Sequence, residues 1–593
     1  MAQASGTFSP QQETIRKRMP FVIGGLLVVS LLLLGRLASI QFQVGLTPEV
    51  VNYLEGLRDS GYTRTLREAA ARGNIYDRNG ESMAVNTLEY QVGVSPQLLE
   101  NPRDAATQLS SVLGIAELDV YQKIQDAIDD GRPWELLASR VSAEVGRRIA
   151  ALDLGSGVQL QPMPRRSYPQ GPLGAKILGF VSGDLTGFYG VEGYYQDQLT
   201  GVVRTREISN IPFEQADQLA YDQESGRDLV LTIDRDVQFL AESELLRAIS
   251  DTGAEAGTII VMNPRTGDVL ALADYPSYDP NAYFNIDDAG VFNNLAISGN
   301  YEPGSVMKLV TVAAALDRDV IEPDFTYIDN GSLDVGGVTV YNWDRQAYGA
   351  SDATSILVNS LNVGAATIAT LMGPQTFYEE LEQFGFGQRT GIDLQGEEAG
   401  ILFAPGDPDW SEGNLATNAF GQGISVTPIQ MLSAVNAIAN GGLMMQPRVV
   451  RQIVDGDEVY NSQPTVLGRP ISSEAAAAVT DMMVQVVANG LDDAASLPGY
   501  TIAGKTGTAE IATPFGYESS SSIVTFVGFL PADDPQISVL VRLDRPRDYW
   551  AALVAAPVFQ RLAERLVVAL SIPPDAARQE LAAEGGSISN IQR

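Results

Sequence analysis

Tyr301-Glu302-Pro303-Gly304-Ser305-Val306-Met307-Lys308 leads into an apolar, alanine-rich run that continues to Leu316. Glu302-Pro303-Gly304 breaks the chain, so a helix is expected to begin near Ser305. Ser305 and Lys308, three apart at its start, would share a face and meet within hydrogen-bonding reach. A serine is a poor nucleophile without a base, and the chain has no histidine or cysteine to serve it. Only five lysines occur against 34 arginines. Arginine stays protonated in proteins, so a side chain that must give up a proton has to be lysine or a carboxylate. Bringing a lysine from about 10.4 to near neutrality costs roughly 4 to 5 kcal/mol, which burial or a second cation can supply. The first turn of the helix also offers backbone N–H groups to a developing oxyanion.

The two missing residue types exclude Ser-His-Asp triads, cysteine nucleophiles, disulfides and Cys/His zinc sites. Any metal would need oxygen ligands, and neither a metal nor another cofactor is expected. The net charge of −34 with no basic patch argues against nucleic acid as a partner. At 593 residues the chain is long enough for several domains with a large buried core.

Working outward, Ser360-Leu361-Asn362 falls in a second helical region, Ser355 to Leu371, and offers a hydroxyl and an amide. Lys505-Thr506-Gly507-Thr508 falls on a strand, Thr501 to Ile511, where a cation and two hydroxyls can bind a carboxylate and glycine lets a substrate backbone approach. Strands are further expected at 257–263, 268–274, 522–530 and 536–543, and helices from Asp234 to Ser250, Thr427 to Ala439, Ser473 to Ala488 and Ala551 to Leu570. Strands early and late with helices between predict an α+β domain with an antiparallel sheet flanked by helices, over residues 229–572. Residues 45–228 read as an extended mixed α/β region, helical around Ala105 to Leu152, and 573–593 as a polar tail.

Near the start, Arg16-Lys17-Arg18 precedes an apolar span at 21–44. As a helix of roughly 36 Å it would cross a hydrocarbon core of about 30 Å, with residues 1–20 cytoplasmic and the rest outside. The rival reading is a cleaved signal peptide, against which no clear Ala-x-Ala site follows.

The ordered set Ser-x-x-Lys, Ser-x-Asn, Lys-Thr-Gly resembles the signature of penicillin-recognising serine acyltransferases. The wider strings around Ser305 and Lys505, together with Gly421-Gln422-Gly423 and Val426-Thr427-Pro428-Ile429-Gln430, resemble class B penicillin-binding proteins. So does Arg72-Gly73-Asn74-Ile75-Tyr76-Asp77-Arg78-Asn79-Gly80, which is similar to the signature of that family's N-terminal pedestal, and Gly190, Glu192 and Gly193 resemble a second pedestal motif. The resemblance implies a peptidoglycan D,D-transpeptidase. Ser305 would attack D-Ala-D-Ala, Lys308 accept its proton and Ser360 relay a proton to the leaving amine. Asn362 would hold a substrate amide, and Lys505, Thr506 and Thr508 the terminal carboxylate. The N–H groups of Ser305 and Thr508 would form the oxyanion hole. β-Lactams would be trapped at the same serine. Arg72, Asp77 and Arg78, with Gly73 and Gly80, read as a structural ion-pair and turn network. Trp410, Tyr341 and Trp343 could line a cleft or pack elsewhere.

Within the family, Tyr301 to Ser305 and the run from Gly528 to Pro546 look more like the septal division enzymes than the elongation type. That implies a polytopic glycosyltransferase of the shape, elongation, division and sporulation family, and division proteins, as partners. A non-catalytic β-lactam sensor or division scaffold is the reading from a different class. No Glu-x-x-Leu-Asn string of the class A β-lactamase kind follows Ser360.

Overall fold

A computed structural model describes residues 10–41, 63–69, 71–201, 203–209, 225–513 and 516–583. The expectations that fall on 42–62, 210–224 and 584–593 lie outside the described residues. Residues 71–201 and 224–593 form one compact unit, and residues 1–70 with 202–223 another.

In the smaller unit, helix α1 runs over Pro10–Gln41. An antiparallel ribbon pairs Thr63–Ala69 with Val203–Ser209. Among the described residues no helix is long and apolar enough to cross a membrane. The side chains of α1 are described only in part.

The larger unit begins with the pedestal. Its long strand Ser82–Val94 pairs antiparallel with Glu135–Ser142 and with Val158–Ser167. The helical stretch expected around Ala105 to Leu152 is three helices, Pro102–Leu113, Glu117–Asp129 and Ala143–Ala150, with the strand Glu135–Ser142 threaded between the last two. The two-residue strand Ile75–Tyr76 bonds in parallel to Asp228–Leu231, which pairs in turn with Val450–Asp455. A single sheet thus runs across the division that the sequence places at 228/229, because backbone groups at a sheet edge take whatever strand is adjacent.

Past that sheet, Asp234 accepts from the N–H groups of Asp236 and Val237 and starts helix α2, Arg235–Thr252, which Gly253 ends at φ 70°. A five-stranded sheet follows. Its strands are β1 (Ala256–Met262), β2 (Val269–Tyr275), β3 (Ala503–Thr513), β4 (Gly516–Leu530) and β5 (Ile537–Asp544), in the order β2-β1-β5-β4-β3. Every pairing is antiparallel. The pleat divides β1 between two cores: Ile259 and Val261 join one with α2 and the C-terminal helix, while Ile260 and Met262 join the other with the central helices. Both faces are covered there, so β1, β5 and the second half of β4 read as apolar runs rather than alternating, while β3 is more polar. β3 is left at the open edge, beside the nucleophile turn.

The helices filling the second core are α3 (Met307–Asp317), α4 (Ala353–Val358), α5 (Asn362–Met372), α6 (Pro428–Ala439) and α7 (Ser473–Gly490), and α8 (Ala551–Ala569) closes the first. One difference from expectation bears on the site. The helix predicted over Ser355 to Leu371 is two helices, broken at Ser360, whose φ is +56°. That left-handed residue turns the chain so that Ser360 and Asn362 both face Lys308.

Candidate active site

Gly304, at φ +56°, opens a single 3-10 turn over Gly304–Val306, and α3 proper starts at Met307. Residues 307–316 are all buried, so Lys308 enters the core with 0% exposure while Ser305 stays half-buried at the rim. Lys308 Nζ lies 3.1 Å from Ser305 Oγ, 2.6 Å from Ser360 O, 2.8 Å from Asn362 Oδ1 and 3.2 Å from Ser360 Oγ. The Ser360 carbonyl and the Asn362 amide oxygen can only accept. A neutral amine has two hydrogens and one lone pair. With both hydrogens spent on those acceptors, the lone pair is left to take the hydroxyl hydrogen of Ser305.

The electrostatics favour the neutral form. Burial pushes the Lys308 amine well below the ordinary lysine range, and the neighbouring Lys505 cation pushes it further. Lys505, 1% exposed, is lowered to about 7 by burial. Its Nζ donates to Ser360 Oγ at 3.2 Å and to Thr506 O at 3.1 Å. Ser360 Oγ therefore lies between the two lysines.

β3 carries Lys505 to Thr508 along the nucleophile turn. A Cβ on Gly507 would fall 2.7 Å from Pro303 O and 2.8 Å from Val306 Cγ2. The close approach that glycine allows here is thus to the chain's own nucleophile turn, not to a substrate backbone as expected. A Cβ on Gly304 would in turn come within 2.9 Å of Thr508 O, so the residues flanking the expected oxyanion hole adjoin. Thr508 Oγ1 accepts from Ala551 N–H at 3.2 Å, which leaves the hydroxyl hydrogen for a ligand. Gly421 O accepts from Gly304 N–H at 3.1 Å, and Tyr301 and Val426 exchange backbone bonds at 3.0 and 2.9 Å. Thr427 and Gln430 form a capping box at the start of α6. These motif residues hold the turn rather than the reacting atoms.

Ser305, Ser360, Asn362, Lys505, Thr506 and Thr508 all line one cleft of 630 Å³. Trp343 lines it too, in edge contact with Trp550 at 5.2 Å between ring centroids. Trp410 packs against Tyr378 and the core instead. Tyr341 lies under the Arg345 guanidinium, and only its carbonyl serves the site, accepting from Asn362 Nδ2 at 3.0 Å. Among the described residues no group of three or more His, Cys, Asp or Glu is placed to hold a metal ion.

The penicillin-binding protein transpeptidase domain model matches residues 257–564, and the penicillin-binding protein dimerisation domain model matches 67–231. The chain belongs to the class B penicillin-binding proteins. It is similar to stage V sporulation protein D of Bacillus subtilis, with 33% identity covering 95% of this chain and 87% of that protein. It is also similar to the probable peptidoglycan D,D-transpeptidase PbpC of Pseudomonas aeruginosa, at 29% identity over 94% of this chain and 96% of that one. Among solved structures, penicillin-binding protein 3 of Mycobacterium tuberculosis complexed with aztreonam superposes with a TM-score of 0.67 and 28% identity, covering 86% of this chain and 98% of that one.

The pedestal motifs of this penicillin-binding protein meet in space, though not as the expected network. Buried Arg72 donates from Nε to Glu192 Oε2 at 2.6 Å and from Nη2 to Glu192 O at 2.9 Å, and Nη1 reaches Gln196 and Thr200. Arg166 takes the other Glu192 oxygen at 2.6 Å. The first motif's arginine is thus paired with the second motif's glutamate. Asp77 forms no ion pair with Arg72 or Arg78. Its Oδ1 accepts from the N–H groups of Asn79 and Glu81, closing the turn that contains Gly80 at φ +87°, and its Oδ2 accepts from Arg235 N at the start of α2. Arg78 contributes its backbone N–H, bonded to Ile233 O at 2.9 Å. Gly73 is required by contact: a Cβ there would overlap Arg227 O at 1.7 Å.

Sequence reasoning missed Trp550, Tyr549, Tyr348 and Glu510, which also line the cleft. Trp550 and Tyr549 follow β5 in a loop whose local pattern carries no signal of the site. Glu510 and Thr508 sit two apart on β3, so strand alternation could have placed Glu510 on the same face.

Proposed function

We propose that this protein is a serine-type D-Ala-D-Ala transpeptidase that cross-links peptidoglycan stem peptides through an acyl-enzyme on Ser305. The observation that carries the reading is the buried Lys308 amine, 3.1 Å from Ser305 Oγ with two obligate acceptors at 2.6 and 2.8 Å, so that the neutral amine directs its lone pair at Ser305. Ser305 Oγ attacks the carbonyl carbon of the D-Ala-D-Ala bond while its proton passes to Lys308 Nζ. The N–H groups of Ser305 and Thr508 take the oxyanion. The C–N bond then breaks, and Ser360, within 3.2 Å of Lys308 Nζ, passes a proton to the departing D-alanine amine. Lys505 with the Thr506 and Thr508 hydroxyls holds the donor's terminal carboxylate. Asn362 Nδ2, after donating to Tyr341 O, keeps one hydrogen for a substrate carbonyl. An amine from a neighbouring stem next attacks the ester carbonyl, Lys308 takes its proton and hands it to Ser305 Oγ as the ester C–O bond breaks, and the free serine is restored. A β-lactam enters the same path at its strained amide. The aztreonam complex of the similar mycobacterial protein supports that reading.

From the apolar sequence at 21–44, which extends beyond the described residues, the N-terminal segment is read as a single-pass anchor in the cytoplasmic membrane, with its start inside and the catalytic domain outside. Leu31, Leu32, Leu33 and Leu34 are all exposed, and four consecutive helical positions cover every direction around the axis. A septal role, with a polytopic glycosyltransferase of the shape, elongation, division and sporulation family and division proteins as partners, is the preferred subtype. It rests on the resemblance of Tyr301 to Ser305 and of Gly528 to Pro546.

Fluorescent penicillin tests the chemistry. The protein is expected to form a covalent adduct, Ser305→Ala to abolish it, and labelling at another residue would overturn the assignment. Labelled protein at mid-cell supports the septal subtype; labelling along the side wall favours elongation.

A further inference from the structure

Behind Asn362 lie two buried polar side chains that no catalytic step uses. Asp329 ends the strand Thr326–Asp329 and is 1% exposed; Asn342 follows the strand Val338–Tyr341 and is 2% exposed. Asn342 Nδ2 donates to the Asp329 carboxylate oxygens at 3.0 and 2.9 Å and to Gln346 O at 3.0 Å. Asn342 Oδ1 accepts from Val363 N–H at 3.1 Å. The carboxylate is completed by Gly331 N–H at 2.7 Å and the Tyr327 hydroxyl at 3.2 Å.

None of these roles can be exchanged. A carboxylate and a backbone carbonyl only accept and a backbone N–H only donates, so the Asn342 amide has one orientation. Asn362 is held the same way. Tyr341 O accepts from its Nδ2, which turns its Oδ1 toward Lys308 Nζ. The two amides are joined through the backbone: Tyr341 precedes Asn342 in the chain, and Val363, bonded to Asn342, follows Asn362 on the first turn of α5. An inverted or displaced Asn362 amide would turn its NH₂ group to Lys308, and the amine would lose one of its two obligate acceptors. Its lone pair would no longer be directed at Ser305.

We propose that Asp329 and Asn342 are positioning residues for the reaction: through Asn362 they orient the Lys308 amine so that its lone pair faces Ser305. The inference rests on the serine–lysine chemistry above. Its test separates the acylation rate constant k2 from the noncovalent constant K in single-turnover reactions of the full-length protein with a fluorescent penicillin. Asn342→Ala and Asp329→Ala are expected to lower k2 about tenfold or more while K changes less than about threefold, because a small misplacement of a reacting group is costly. Asp329→Asn keeps an oxygen that can accept from Asn342 Nδ2 and is expected to restore k2 to within about threefold of the parent. k2 belongs to folded molecules alone, so partial unfolding lowers the amplitude and not the rate. If Asn342→Ala yields no folded protein, the Asp329→Ala and Asp329→Asn pair decides. An unchanged k2 in a folded alanine variant overturns the positioning role, as does Asp329→Asn reacting as slowly as Asp329→Ala. Either result leaves Ser305 acylation standing, whereas absence of labelling at Ser305 in the parent overturns the transpeptidase reading itself.

Discussion

Lys308 Nζ lies 3.1 Å from Ser305 Oγ, and its neighbours at 2.6 and 2.8 Å are a carbonyl and an amide oxygen that can only accept. In this arrangement a neutral amine can take the Ser305 hydroxyl proton while its own two hydrogens serve the carbonyl and the amide oxygen.

Arginine at position 308 would keep a charge and most of the reach while removing the base. Lys308→Arg is expected to cut the penicillin acylation rate by about 10²- to 10⁴-fold, the usual contribution of a positioned base. Acylation within about threefold of the parent, measured by labelling time courses, would refute the role given to the amine.

The pH profile should report the second lysine. Acylation requires Lys308 deprotonated, so the rate rises as pH rises through its pKa. Lys505 lowers that pKa by repulsion. Lys505→Gln removes the repulsion, the Lys308 pKa moves up, and the acidic limb of k2 shifts to higher pH. The difference is largest below pH about 7, where Lys505 in the parent is itself protonated. A limb that stays fixed or moves to lower pH contradicts the coupling.

At Gly507 the test is steric. Gly507→Ala brings a Cβ to 2.7 Å from Pro303 O, so β3 or the nucleophile turn must move. Overpacking of this kind costs about 1 to 3 kcal/mol. A lower melting temperature together with slower acylation is expected; unaltered kinetics would show that the turn and the strand need not touch.

The pedestal pair makes the opposite prediction. Arg72→Ala leaves the Glu192 carboxylate, 0% exposed, with Arg166 as its one remaining ion-pair partner among the described residues. Removing one member of a buried pair costs about 3 to 5 kcal/mol. Thermal unfolding should show that loss while k2 on the folded fraction is unchanged. Slower acylation at full stability would place Arg72 in the catalytic machinery instead.

Several of these relationships were legible from residue order and several were not. The helix begun by Asp234, the hairpin of β1 and β2 and the strand pair around Pro531 follow from capping and periodicity, which act within a few residues. The break at Ser360 was not foreseen, because no glycine or proline marks it between Val358 and Val363 and only contact with Lys308 gives the left-handed turn its purpose. Asp77 looked like an ion-pair member and is a cap for α2, since its partner, Arg235 N–H, arrives from far along the chain.

The sequence by itself determined which residue types can do the chemistry. With histidine and cysteine absent and arginine always charged, a serine three residues before a lysine at a helix start already names nucleophile and base, for that spacing is set by the helix itself. Only the tertiary structure decided that the lysine is pushed well below the ordinary lysine range. Its pKa depends on burial beneath the surrounding helices and on Lys505 carried in by the edge strand β3, and desolvation and charge proximity are properties of what packs around a group, not of its neighbours in the chain.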